Sequence, residues 1–152
     1  MSSQVISVSA WSPAKPEVVY GLLCSGKTWP VWSPIGSFEL EREGQDGSES
    51  LGAIRLFRTG PVQSHEEIVA LEPNHRFGYA LRHGMPLKGY RANVDLTERA
   101  GGTAIHWHSA FSPTIPGTGA FFRWFLSGFI QKCADGLAAY AAGLPAANAS
   151  PT

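Results

Sequence analysis

The sequence carries no excess of charge, because 12 basic and 12 acidic residues give its 152 residues a formal net charge of zero at pH 7. Nucleic-acid-binding domains usually concentrate positive charge on one face, so this composition argues against nucleic acid as the partner. Only two cysteines are present, Cys24 and Cys133, and neither belongs to a paired motif. Both lie in apolar helical patterns, where we expect buried thiols in a reducing compartment rather than a disulfide.

Long hydrophobic runs are also absent, since no apolar segment approaches the roughly 20 residues that a membrane-spanning helix needs. Residues 1–11 lack the charged start and apolar run of a signal peptide, so we expect a cytoplasmic protein. The sequence has no Ser-His-Asp order, no CxxC motif and no glycine-rich phosphate loop after a strand. No cofactor is therefore expected.

What the sequence does contain is one long helical pattern, at residues 116–144. Apolar residues recur there at steps of three and four, which is typical of an amphipathic helix. This stripe consists of Phe122, Leu126, Phe129, Cys133, Leu137, Tyr140 and Leu144. Phe121, Trp124 and Phe125 lie off the stripe, so the front of the helix is apolar nearly all round. Such a helix end must contact a closed core, a ligand cavity, a partner or a membrane surface.

Seven strands are predicted ahead of this helix, because alternating apolar residues are separated by turn residues. The first strand is followed by two short helical segments, one between Pro16 and Gly26 and one at residues 27–32. The strands are expected at residues 5–11, 37–43, 53–59, 63–71, 76–82, 88–98 and 103–111. Six consecutive strands joined by turns predict an antiparallel sheet.

Only the last helix is long enough to cover a sheet of this size. We therefore expect an α+β fold in which a seven-stranded antiparallel sheet curls around a helix that begins near Gly119 and includes residues 120–140. Residues 1–144 would form a single domain. Residues 145–152, which are rich in Ala, Ser and Pro, would form a flexible tail.

Strand parity predicts which side chains face the helix, because alternate residues of a strand point to opposite faces. The bulkier and more apolar set is turned inward on the last three strands. This set is Phe77, Tyr79, Leu81, Tyr90, Ala92, Val94, Leu96, Ile105, Trp107, Ser109 and Phe111. For the strands at residues 53–59 and 63–71, the pattern alone does not choose the inward face.

Two histidines, His106 and His108, share the outer face of the last predicted strand. Such a pair can bind a metal ion if a third ligand lies near, and His65 or Asp95 could supply one. Because parity turns both imidazoles away from the inner face, we expect no metal site.

Several local motifs accompany this order of elements. The chain opens with VSAWSPAKPEVVYGLL and WPVWSP, continues with LGAIRLFRTG, SHEEIVALEPNHRFGYAL and GYRANVDL, and ends with GGTAIHWHSAFSP and PGTGAFFRWF. Together they resemble the START-like (SRPBCC) superfamily of polyketide cyclases and dehydrases, lipid-transfer domains, plant ligand carriers and abscisic-acid receptors. The resemblance covers residues 5–142 and implies a helix-grip fold, with a cavity between sheet and long helix that usually holds a hydrophobic ligand.

The resemblance also implies an inward face for the two ambiguous strands. GAIR resembles a superfamily pattern in which the second and fourth residues after the Arg line the cavity, here Phe57 and Thr59. SHEEI resembles a receptor and carrier pattern in which the first Ser and first Glu face inward, here Ser64 and Glu66. Arg55 and Glu66 would then lie on the same concave face and could pair.

An inward set of aromatic residues with a few polar groups is typical of a pocket for a small hydrophobic ligand. The candidate ligand-binding residues are Arg55, Phe57, Thr59, Ser64, Glu66, Tyr79, Tyr90, Trp107, Ser109, Phe125 and Phe129. We expect a carrier or sensor of a lipid, polyketide, sterol or isoprenoid-like molecule. The alternative is a cyclase or dehydratase that uses Glu66, Tyr90 and Arg55 as acid and base in the same cavity.

Two surface features leave alternatives open. Phe121, Phe122 and Trp124 could close the pocket mouth, join the subunits of a homodimer or make a transient membrane contact. The loops around Gly60 and Gly84 correspond to the gate and latch of the receptors but lack their motifs. A hormone-receptor role is therefore not expected, whereas a lid at these loops stays an alternative.

Overall fold

The computed structural model describes residues 3–144 and shows the expected helix-grip architecture. The strands are β1 Gln4–Ser12, β2 Ser37–Arg42, β3 Ile54–Thr59, β4 Val62–Glu72, β5 Arg76–His83, β6 Leu87–Arg99 and β7 Gly102–Pro113. The helices are α1 Pro16–Cys24, α2 Trp29–Trp32 and α3 Gly119–Ala142, with a single 3-10 turn at Gly26–Thr28 between the first two. The predicted tail at residues 145–152 lies outside the described residues.

The seven strands form one antiparallel sheet in the order β1-β7-β6-β5-β4-β3-β2. Strands β2 to β7 follow one another as hairpins, and β1 pairs with β7 at the far edge. The α1–α2 segment therefore connects the two edges of the sheet. This arrangement confirms the predicted seven-stranded sheet and the predicted short helices near the N-terminus.

The first helix forms where the sequence supplies both a start signal and an apolar face. Pro16 occupies the first turn, where its missing N–H costs no hydrogen bond, and Glu17 lies at the positive end of the helix dipole. Four apolar side chains on one face are buried: Val18, Val19, Leu22 and Leu23. None of the described helices is both long and apolar enough to cross a membrane.

The long helix α3 is continuous over Gly119–Ala142, as the periodicity predicts, but its buried face is rotated from the expected stripe. Tyr140 is exposed, whereas Ile130, Ala134, Ala138 and Ala141 are buried. The apolar stripe is therefore buried at Leu126, Cys133 and Leu137 but not at Tyr140. The reason is size, because alanines in the last turns let the helix backbone approach the sheet closely, and Tyr140 then falls at the rim.

Polar contacts fix the rear of α3 to the first strand. The Ser12 hydroxyl donates to the Ala138 carbonyl over 2.8 Å, and the Gln131 amide donates to the Ser9 carbonyl over 3.1 Å. Gly136 lies against α2, because a Cβ atom at this position would overlap the carbonyl oxygen of Trp32. The rear of α3 is thus held between β1 and the short helices.

This close approach predicts that Gly136→Ala destabilises the protein by about 1–3 kcal/mol, since the added methyl group must displace backbone. Gly128→Ala on the same helix is the matched control, because nothing lies within 4 Å of its Cβ position. There the gain in helix propensity should stabilise the protein by up to ~1 kcal/mol. Urea denaturation followed by circular dichroism measures both changes. Equal effects of the two substitutions would contradict the packing described for Gly136.

Candidate functional site

A cavity of about 360 Å3 lies between the concave face of the sheet and the front half of α3. Strands and turns of the sheet contribute Phe57, Thr59, Pro61, Val62, Ser64, Glu66, Tyr79, Leu81, Met85, Tyr90 and Trp107. The helical side and the segment after α2 contribute Trp29, Ile35, Phe125, Leu126, Phe129, Ile130 and Cys133. A wider depression between Cys24 and the 47–50 loop opens broadly to solvent and encloses no comparable apolar space.

Nine of the eleven residues that the sequence singles out for ligand binding lie on the wall of this cavity. They are Phe57, Thr59, Ser64, Glu66, Tyr79, Tyr90, Trp107, Phe125 and Phe129. The other two, Arg55 and Ser109, are also inward and buried, but they do not reach the cavity surface. Strand parity places a side chain on the inner face, and the packing around it decides whether it meets the void.

Arg55 is 1% exposed and is enclosed by the protein rather than by the cavity. Its Nε atom lies 2.7 Å from Oε1 of Glu49, and one terminal nitrogen donates to the Leu23 carbonyl over 2.9 Å. Its guanidinium group lies 4.9 Å from the ring centre of Phe77 and 5.5 Å from that of Trp29. These contacts make Arg55 part of the core beside the cavity.

The expected pairing of Arg55 with Glu66 is not formed in the described part of the chain. The two residues are direct partners across β3 and β4, so they do share a face of the sheet. The guanidinium group instead forms an ion pair with Glu49. The Glu49 carboxylate also accepts a hydrogen bond from the Gly26 amide over 2.9 Å. Glu49 comes from the β2–β3 loop, where the sequence has no periodic pattern that could have predicted this contact.

Glu66 lies on the cavity wall and is the one charged side chain among the lining residues. Its carboxylate accepts a hydrogen bond from the Ser64 hydroxyl over 2.7 Å. Burial raises the pKa of Glu66 to about 7, although the bond from Ser64 and the charge of Arg55 act to lower it. A carboxyl group of this pKa can exchange a proton near neutral pH.

Phenol and indole groups provide further polar atoms in the cavity. The Trp107 indole donates to the Tyr79 hydroxyl over 3.2 Å. Burial raises the pKa of Tyr79 well above its ordinary value and that of Tyr90 to about 12, so both phenols stay protonated at neutral pH. The site thus offers neutral hydrogen-bond donors beside a single acidic group.

The open end of the cavity is formed by two turns and the front of α3. Pro61 and Val62 from the β3–β4 turn and Met85 from the β5–β6 turn line it, which places the Gly60 and Gly84 loops at the mouth. Phe121, Trp124 and Phe125 are 56%, 73% and 49% exposed and form a patch that we call the aromatic patch. It continues into the cavity because Phe125 also lines the wall. Phe122 is half-buried against the core.

The outer face of the sheet carries a cluster of Asp95, His106 and His108, whose potential ligand atoms lie within 4.8 Å of one another. These atoms already have protein partners. Asp95 binds Arg76 with both oxygens and receives His108 Nε2 at 2.7 Å, while His106 Nε2 lies 2.8 Å from the Ser7 hydroxyl. The arrangement therefore works as a hydrogen-bonded cluster between strands.

Several lining residues are not among the sequence candidates. Cys133, Leu126 and Ile130 belong to the helix, and the first two of them were predicted in its apolar stripe without a cavity role. Trp29 is the larger omission, because its ring packs against Phe57 at 5.0 Å and against Trp107 at 5.6 Å between centres. It lies in a four-residue helix, which is too short to show a periodic apolar face.

Comparison with known proteins gives a family match and a set of structural relatives. The family model described as "Polyketide cyclase / dehydrase and lipid transport" matches residues 3–142. No curated protein matches the chain. Similar solved structures include a START superfamily protein from Mycobacterium smegmatis, with 12% identity and a TM-score of 0.77 over 90% of this chain and 96% of that one.

Two further structures support the same architecture. The crystal structure of Ara h 8.0201 has 15% identity and a TM-score of 0.75, covering 92% of this chain and 98% of that one. The protein XoxI from Bacillus cereus has 16% identity and a TM-score of 0.73, covering 94% of this chain and 97% of that one. At these identities the likeness establishes a shared fold.

The position of Glu66 predicts a pH dependence of stability that Glu66→Gln removes. An acid whose folded pKa is about 7, against an ordinary value of 4.5, binds more protons folded than unfolded between these pH values. The contribution of protonated Glu66 to the free energy of unfolding is fully present below pH 4.5 and is lost as the pH rises through 7. We expect wild type to lose about 2–3 kcal/mol relative to Glu66→Gln over this range.

Urea denaturation at several pH values measures this difference in the free energy of unfolding. Glu67→Gln is the matched control, because Glu67 is the next residue, lies on the other face and pairs with Arg82 at 2.7 Å. This variant leaves Glu66 in place and should keep the wild-type dependence on pH. Parallel pH profiles for wild type and Glu66→Gln would contradict the buried position of the carboxyl group.

Proposed function

Because the chain belongs to the polyketide cyclase / dehydrase and lipid transport family, we propose that it binds a small hydrophobic molecule between the sheet and α3, as a carrier or sensor. The ligand class is a lipid, polyketide, sterol or isoprenoid-like molecule. The observation that carries this proposal is the cavity itself. Its walls are mostly aromatic and aliphatic, and its volume of about 360 Å3 lies within the range usual for ligand pockets.

The composition of the wall supports binding of an apolar body with one polar group. Rings from Trp29, Phe57, Trp107 and Phe129 supply large apolar contact area. Polar atoms are concentrated on neighbouring strands, at Ser64, Glu66 and the two tyrosines. A ligand bound here would therefore bury its apolar part against α3 and direct its polar part toward the sheet.

A second candidate function is proton-transfer catalysis in the same cavity, of the cyclase or dehydratase type. The observation that favours it is the pKa of Glu66, which burial raises to about 7, so that the carboxyl group could accept and return a proton near neutral pH. Tyr79 and Tyr90 could donate hydrogen bonds to a ligand carbonyl. Arg55, the third sequence candidate, lies behind the cavity and would act only through its charge.

Native mass spectrometry of protein purified from cell extract tests the binding function. We expect a co-purifying apolar molecule that Phe129→Glu reduces by about ten-fold or more, because a carboxylate on the wall must be desolvated when the ligand enters. Tyr140→Glu is the matched control on the same helix, since Tyr140 is exposed, does not line the cavity and lies outside the aromatic patch. It should keep wild-type binding.

The same preparation separates the two functions. A ligand released unchanged after incubation supports a carrier or sensor. Chemical conversion of the ligand, lost in Glu66→Gln while binding is kept, supports catalysis. Trp29 and Trp107 line the cavity, so their fluorescence should change when a ligand binds. If no apolar molecule co-purifies and the tryptophan fluorescence does not change with any of a panel of lipids and polyketides, both functions are ruled out.

The aromatic patch is proposed to contact a second copy of the chain or a membrane surface, because exposed rings of this number are unusual on a monomer. Size-exclusion chromatography and liposome flotation of wild type beside Trp124→Ser test this proposal. A dimer that Trp124→Ser dissociates supports the first partner, and flotation lost in the variant supports the second. If wild type and Trp124→Ser are both monomeric and neither floats with liposomes, the proposed contact is excluded.

A further inference from the structure

The charge of the cavity is set by Glu66 alone, because the other side chains that line it are apolar or neutral. We propose that the ligand carries a positively charged amine that pairs with the Glu66 carboxylate, and that the cavity rejects ligands with a carboxylate of their own. This inference rests on the proposed function and narrows its ligand class to hydrophobic amines.

The first argument is that the nearest basic group already has another carboxylate as its ion-pair partner. Arg55 is the only cation that acts on Glu66 from the adjacent strand, and its Nε atom lies 2.7 Å from Glu49. Within the described residues no salt bridge reaches Glu66. Ser64 supplies one hydrogen bond to Oε2, and no described donor reaches Oε1. The carboxylate therefore faces the cavity with an oxygen free to accept a bond.

The second argument concerns the groups that surround Glu66 on every element. Ser64 is on its own strand, Tyr79 and Tyr90 are on β5 and β6, and Cys133 is on α3. Burial raises the pKa of both phenols and of the thiol, so these groups are neutral and cannot compensate an ionised carboxyl group. A ligand ammonium group would supply the missing charge.

The third argument is that the rings around the carboxyl group suit a cation. Trp29, Tyr79, Tyr90 and Trp107 line the same cavity. The faces of aromatic rings carry partial negative charge and attract ammonium groups, most strongly when water is excluded. A fatty acid would instead bring a second carboxylate beside Glu66, and two like charges in an apolar site raise the cost of binding.

Isothermal titration calorimetry with two matched probe series tests the inference. One series is decylamine, decanol and decanoic acid, and the other is naphthylethylamine, naphthylethanol and naphthylacetic acid, at neutral pH. In at least one series we expect the amine to bind about ten-fold tighter than the alcohol, and the acid to bind about ten-fold weaker than the alcohol. A hydrogen bond to a charged group changes binding affinity by about this factor. Glu66→Gln should bring the three affinities within about three-fold, whereas Glu67→Gln should keep the order.

Proton release provides a readout that a merely structural role of Glu66 would not change. An ammonium group favours the ionised carboxylate, so amine binding should release a proton from wild type, and titrations in buffers of different ionisation enthalpy detect it. Glu66→Gln should release none. Alcohol binding should release none from either protein.

The outcomes separate this inference from the proposed function. Wild type that binds an alcohol or acid as tightly as the amine overturns the amine inference and leaves a hydrophobic ligand site in place. An amine preference that persists in Glu66→Gln overturns the role of Glu66. If none of the six probes binds, the proposed function fails, and the inference fails with it.

Discussion

The structure depends on how closely α3 approaches the sheet along its length. The rear of the helix presents Ala134, Ala138 and Ala141 to the core, and these small side chains are almost fully buried. The front presents the larger side chains of Phe125 and Phe129, which line a void. The small residues pack against the core, as expected of a close-packed interior, whereas the cavity lies beside Phe125 to Cys133.

A second constraint is the distribution of one positive and two negative charges around β3 and β4. Arg55 could have paired with Glu66, its partner across the strands, but it pairs with Glu49 from a loop. A buried guanidinium group without a partner would destabilise the folded state, so the ion pair with Glu49 stabilises the core around Arg55. Glu66 is therefore left without a salt-bridge partner among the described residues, and burial in the cavity wall raises its pKa.

Most of the fold could be predicted from the sequence, because turn residues separate the strands and alternation marks most of them. Each predicted strand boundary lies within two residues of the observed one, as at residues 63–71 against Val62–Glu72. The site is less predictable. Parity gives the inner face of Tyr79 and Tyr90, but it does not separate residues that meet the void from those packed beside it, such as Arg55 and Ser109.

The residues that sequence reasoning missed have a common physical cause. Glu49 lies in a loop without periodicity, and Trp29 lies in a helix of a single turn. Their roles come from contacts between segments far apart in the chain, which local pattern does not encode. Tyr140 is the converse case, since helical spacing placed it in the stripe, but the small neighbours that pack against the sheet turned it outward.

The division of α3 into an attached rear and a cavity-lining front has an evolutionary consequence. Substitutions in the front can change the shape of the void without loosening the contacts that hold the helix to β1 and α2. Lineages can therefore reshape the void while the scaffold stays under separate selection. The solved relatives keep the same architecture at 12–16% identity.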